Sequence, residues 1–253
     1  MAGIGRLQEH LPALRTSAGV AAILATFFGL LGLMTGFFIL VDRFLFEWLP
    51  DGEIVVLALG FLLLSRFFSQ KDRYVARFGD SAYARAFMSF GVPGLAIIYA
   101  SIAHLAYMPG PMIPEVSWKP VLVGVGWLSL IFGAIHWWRA VNALGFDYLM
   151  MLHVYHPQDR HIVDSGIHGV IRHPFYAGAV HISTGLACVH AGWYSLLVAL
   201  VVPIFFLGWI VLVEEKELLN NVAGYADYRR SVPGLVPRFR DVGKYWRALL
   251  VGD

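Results

Sequence analysis

The 253-residue chain contains one cysteine and only 14% charged residues. A lone Cys188 excludes an intrachain disulfide and a multi-thiolate metal centre, and within a hydrophobic run it reads as a small packing residue. Soluble domains carry about 25% charged residues, so this shortage excludes an ordinary soluble domain. The charges nearly cancel, leaving a net +2, and the basic residues are scattered rather than clustered. With no nucleic-acid motif either, nucleic acid is not an expected partner. Internal repeats, low-complexity tracts and linkers are also missing. What fills the chain is apolar: 58% of its residues, with a mean hydropathy of +0.65. The composition predicts an all-α, polytopic integral membrane protein.

Six runs are candidate transmembrane helices: 19–41, 54–68, 87–107, 120–138, 175–191 and 193–213. A span needs about 20 residues, and the second run is the shortest. The first is too long for a signal-peptide core of roughly 7–15 residues and reads as a retained span. Only Gly192 separates the last two, which forces an antiparallel helical hairpin with both open ends at one membrane face. Of the 19 Lys and Arg residues, 17 collect on one side of this arrangement, leaving Arg43 and Lys119 on the other. That bias predicts both termini and the open end of the hairpin on the cytoplasmic side. The polar stretch 69–85 is expected on the membrane surface. The tail 238–250 alternates apolar and basic residues at helical spacing, as an interfacial amphipathic helix does. Gly32-x-x-x-Gly36 in the first span permits close helix contact, expected as tight packing within the monomer rather than as a dimer face.

Arg172-His173-Pro174 opens the fifth run, where Pro174 suits a first helical turn. One reading is a cap with a snorkelling arginine. The other is an anion site, in which free N–H groups, the positive helix end and Arg172 attract a carboxylate or phosphate. The flanking Gly166, Gly169 and Gly178 favour the second, since glycine lets a ligand approach closely. Glu214 and Glu215 end the sixth run, where acidic groups oppose the helix macrodipole, which points to ligand binding rather than to an ion pair with Arg172 or Lys216. Gly224-Tyr225-x-x-Tyr228 supplies either interfacial anchors or an aromatic wall for a cationic or planar ligand. Six histidines lie between His153 and His181, among them His156, His161 and His168. They lack the clustered helical repeats of a membrane di-iron site, so no metal is expected and most read as loop or interface residues.

In this order and spacing, Arg172-His173-Pro174-x-Tyr176-x-Gly178, Glu214-Glu215-x-x-Leu218, Gly224-Tyr225-x-x-Tyr228 and Val232-Pro233 with Pro237 resemble the superfamily of isoprenylcysteine carboxyl methyltransferases and phospholipid methyltransferases. The resemblance runs from about Leu144 to Phe239. It divides the chain into an N-terminal membrane extension of about three spans (1–119) and a methyltransferase core ending in the interfacial helix (120–253), together one continuous membrane domain. It implies S-adenosylmethionine in a cytoplasmic pocket and a lipophilic acceptor entering from the bilayer. His173, Pro174, Tyr176, Gly178 and Glu215 would line that pocket, with Arg172, Tyr225 and Tyr228 beside it. Arg172 would meet the cofactor carboxylate, Glu214 or Glu215 its amino group or ribose, and His173 or a Glu would serve as base. One departure stands out. The prenylcysteine enzymes carry a basic residue shortly before the Glu pair, whereas residues 205–213 here are uncharged, which argues against a free carboxylate substrate. The rival classes are a membrane reductase of the sterol type using a nicotinamide cofactor, and a non-enzymatic membrane protein such as a transporter subunit. Oligomeric state is not legible in these residues.

Overall fold

The computed structural model describes residues 4–157 and 162–252; Arg160 and His161, counted above, lie outside the described residues. The framework is α1 (Ser17–Phe44), α2 (Asp51–Ser69), α3 (Val92–His104), α4 (Lys119–Leu144), α5 (Pro174–His190) and α6 (Trp193–Trp209). Three shorter helices follow: α7 (Glu215–Asn221), α8 (Tyr225–Ser231) and α9 (Val242–Leu250). Among the described residues the one β contact is an isolated bridge, Met112 to Gly192. The expected all-α membrane architecture is what the chain adopts. Among the described residues five segments are long and apolar enough to cross a membrane: Ser17–Phe44, Asp51–Ser69, Lys71–His104, Lys119–Leu144 and Trp193–Asn221. α5 has 17 residues. At about 1.5 Å per residue it reaches about 25 Å, a little short of a typical hydrocarbon core.

α5 is held by glycine. Gly126 and Gly133 of α4 face Gly185 and Gly178 of α5, seven residues apart on each helix and therefore on one face of each. A Cβ on Gly133 would stand 2.9 Å from the carbonyl of Gly178, and one on Gly126 equally close to that of Gly185. The two backbones touch, which is how membrane helices gain dispersion contact without a hydrophobic driving force. Gly32 and Gly36 do the opposite. A Cβ at either meets open space, so the tight intramonomer packing expected of that motif does not occur. The hairpin forms as expected, its turn being Ala191 in a left-handed conformation followed by Gly192. Ile113 donates to the Ala191 carbonyl and Trp193 to that of Pro111, so the preceding loop pins the turn.

The N-terminal helices are packed into the rest. Phe61 of α2 meets Phe206 of α6 edge-on at 5.1 Å, and Phe68 meets Trp209 at 5.3 Å. At the hairpin-turn end, His104 is fully buried with its two ring nitrogens 2.7 Å from Glu53 and 3.0 Å from Asp42, tying α1, α2 and α3 together. At the other end the C-terminal helix is latched to α4. Arg139 donates to the carbonyls of Leu249 and Leu250, capping α9, while Tyr245 meets His136 at 2.7 Å.

Candidate functional site

The open end of the hairpin brings Arg172 into contact with Glu215 across 43 residues of sequence. The route to Glu214 and Glu215 differs from the expected helix end. α6 does not stop there: it passes through a π-turn, Ile210–Glu214, in which the Glu215 amide donates to the Ile210 carbonyl, and continues as α7. The Glu pair therefore sits inside a continuous helical segment, and the argument from an opposed C-terminal dipole does not apply. The extra residue of a π-turn swings the following side chains around the axis, a device common at functional sites.

Glu215 is 2% exposed and is the hub of the arrangement. One of its oxygens accepts from Arg172 Nε at 3.1 Å, Arg172 Nη2 at 2.5 Å and His173 Nε2 at 3.2 Å, and the other faces Arg229 Nε at 2.9 Å. The remaining Arg172 nitrogen donates to the carbonyls of Arg229 and Val232. Behind this, the Arg172 amide donates to Pro233 and the His173 amide to Gly234. The Val232-Pro233 segment is thus the backbone partner of the Arg-His-Pro turn. Those two amides, just ahead of the helix, are committed to backbone partners. Pro174 occupies the first turn of α5 as expected.

Arg172, His173, Pro174, Tyr176, Glu214, Tyr225 and Tyr228 line one cavity of about 1140 Å³, its open mouth included. Glu215 and Gly178 are not among its lining residues. Glu215 lies behind, holding Arg172 and His173. Gly178 faces Trp137 and the Gly133 carbonyl, so the close approach it permits is that of α4. Gly169 likewise serves its own turn, where a Cβ would stand 2.7 Å from the Asp164 carbonyl. The structure leaves Glu214 as the uncommitted acid. It is 5% exposed, its Oε2 has no hydrogen-bond partner, and the nearest His173 nitrogen is 3.9 Å away. The Tyr228 hydroxyl donates to the His168 carbonyl at 2.7 Å, and burial raises its pKa.

Three contributors escaped sequence reasoning. Phe61 and Leu64 of α2 with Leu95 and Ile98 of α3 form an apolar wall of the cavity, so the N-terminal extension takes part in it. His153 and His168 also line it, 8% and 2% exposed, and none of their four ring nitrogens has a hydrogen-bond partner. Burial depresses both, His153 to about 3 with the charge of Lys71 adding to the effect, and His168 to about 4 with that of His173. Both rings are neutral at physiological pH. In the sequence they were two loop histidines among six, and what sets them apart in the structure is burial on the cavity with unpartnered ring nitrogens. Among the described residues no group of three or more His, Cys, Asp and Glu is arranged to hold a metal ion.

Residues 121–222 match the family model described as phospholipid methyltransferase, within the superfamily that the motifs resemble. The match begins in the first turn of α4 and ends just after α7, leaving out α1 to α3 and both tyrosines of α8. No curated protein and no solved structure matches the chain.

Proposed function

With its α4–α7 region in the phospholipid methyltransferase family, we propose that this membrane protein transfers a methyl group from S-adenosylmethionine to a lipophilic acceptor at the cytoplasmic face. The observation that carries the reading is a single cavity whose polar end, at Arg172, His173 and Glu214, adjoins an apolar wall supplied by α2 and α3. The polar end suits the cofactor's groups. Glu214 has a buried, unpartnered carboxylate oxygen for an ammonium or a ribose hydroxyl. Tyr176, Tyr225 and Tyr228 offer ring faces to adenine or to a sulfonium cation. Arg172, oriented by Glu215, contributes positive charge near a carboxylate. When bound, the cofactor supplies an electrophilic methyl group for in-line displacement. The chain's own part is to hold, orient and exclude water, with the acceptor's apolar body against Phe61, Leu64, Leu95 and Ile98. The cytoplasmic assignment rests on the distribution of Lys and Arg.

Calorimetric titration of the detergent-purified protein tests this directly. S-adenosylmethionine and S-adenosylhomocysteine are expected to bind at one site per chain. If folded protein ignores both nucleosides and takes up NADPH in a parallel titration, the reductase reading replaces this one.

A further inference from the structure

We propose that His153 is the proton acceptor for an uncharged X–H head group, a thiol or a hydroxyl, on the lipophilic acceptor of this cavity. The inference rests on the methyl-transfer reading above.

His153 is more than nine-tenths buried, lines the cavity, and has neither ring nitrogen hydrogen-bonded. Its ring is fixed by stacking on Tyr148, with centroids 4.3 Å apart at 22°. A buried polar group left without a partner is destabilising, and native proteins keep few of them. A neutral imidazole offers one N–H and one lone pair, and here both are uncommitted.

The other histidines of the cavity and its acid gather at the Arg172 end. His173 donates to Glu215, and Glu214 faces His173 at the Arg172 end. His168 stands within range of the His173 charge and has its carbonyl held by Tyr228, which places it at the same end. His153 belongs to the wall with Tyr148, Leu149 and Met151.

The chemistry of the head group follows. A carboxylate acceptor needs a counter-cation. Among the described lining residues the one Lys or Arg is Arg172, which belongs to the cofactor end of the cavity, so no second cation is left for the acceptor. An alkylammonium is a far weaker acid than the imidazolium of His153, so it must shed its proton before it enters the cavity, and His153 plays no part in its methylation. A thiol or hydroxyl differs. As its lone pair forms the bond to the methyl carbon, the sulfonium–carbon pair returns to sulfur and the X–H proton becomes strongly acidic. Even a weakly basic imidazole then accepts it, and the products are X–CH₃, a neutral thioether and imidazolium.

The test uses the full chain in detergent as wild type, His153→Phe and His153→Gln. Phenylalanine keeps the stacking on Tyr148, and glutamine keeps polarity without a basic nitrogen. Titration with S-adenosylhomocysteine comes first, because failure of the wild type to bind it sinks the methyl-transfer reading itself. For protein that binds, labelled methyl transfer to dodecanethiol, dodecanol, dodecylamine and dodecanoate is followed. The affinity of dodecanethiol for the S-adenosylhomocysteine complex is measured alongside.

The expected result is transfer to the thiol or the alcohol, reduced about 100-fold or more in both variants, as for loss of a general base. Dodecanethiol affinity should fall about fivefold in His153→Phe, the worth of one neutral hydrogen bond. S-adenosylhomocysteine affinity should be retained. Unchanged transfer in the variants overturns the proposal. So does transfer confined to the amine or the carboxylate, or no transfer to any of the four by protein that binds the nucleoside. Should His153→Phe fail to fold, His153→Gln carries the comparison alone.

Discussion

Replacing Glu215 by glutamine removes the charge at the hub of the site while keeping its volume. In the unliganded protein Glu215 accepts from Arg172 at 2.5 and 3.1 Å and from His173 at 3.2 Å, and pairs with Arg229 at 2.9 Å. The side chains of Glu215 and Arg172 are 3% and 10% exposed, so water does not replace what is lost. Removing one partner of a buried ion pair strands the other, at about 3–5 kcal/mol. For a chain of this size that is a fall in melting temperature of about 6–20 °C. Arg172→Met should lose a comparable amount, because it also frees the carbonyls of Arg229 and Val232. If the two act as one unit, the double variant should fall short of the summed losses by about 1.5–3 kcal/mol. Thermal unfolding of the four proteins without ligand, followed by tryptophan fluorescence, measures the cycle. Calorimetry with S-adenosylhomocysteine then shows whether affinity changes beyond what stability explains. Melting temperatures within about 2 °C of wild type, together with tenfold weaker nucleoside binding, would refute the reasoning and make the pair a direct ligand contact.

Acidification should destabilise the protein through His153 and His168, whose folded values are pushed down to about 3 and about 4. The unfolded chain takes up protons below about 6.5 while the folded chain does not, so stability falls between pH 6.5 and 4. At pH 5 the loss relative to pH 7 is about 2 kcal/mol per histidine, and replacing both by Phe should flatten a denaturant-measured pH profile by about that sum; an unchanged profile would show that neither ring resists protonation. His104→Phe leaves the buried Glu53 and the partly buried Asp42 without their cationic partner and should cost about 3–5 kcal/mol in the same assay, whereas wild-type stability would mean that the cluster is hydrated. Gly133→Val forces a side chain against the Gly178 carbonyl and Ile182, and should cost at least about 1–3 kcal/mol by overpacking; Gly36→Val, facing open space within the chain, should leave the stability of the detergent-solubilised protein unchanged. With Cys188 replaced, a cysteine at Asp241 should be labelled only from the cytoplasmic side, and labelling from outside reverses the proposed orientation.

The sequence by itself determined the class, the helices and the order of the site. Apolar runs of membrane length are a local property of the chain, so the α-helical membrane architecture and the hairpin turning at Ala191–Gly192 follow from composition and spacing alone. Arg172 and the Glu pair could be expected at one membrane face because so short a turn leaves no other geometry. The tertiary structure decided which glycines pack. Gly126 with Gly133, and Gly178 with Gly185, find each other across a helix pair, while Gly32 and Gly36 meet nothing, although a spacing of four puts two residues on one helix face just as a spacing of seven does. It also decided which acid is committed. Glu214 and Glu215 are equivalent as neighbours in sequence, and the π-turn before them turns one into the Arg172 hub and leaves the other with a free oxygen on the cavity. The same holds for the N-terminal extension and for His153. Hydropathy marks α2 and α3 as spans without saying what they border. A histidine's burial and partners are set by whatever folds around it, and in this protein that is the wall of the cavity.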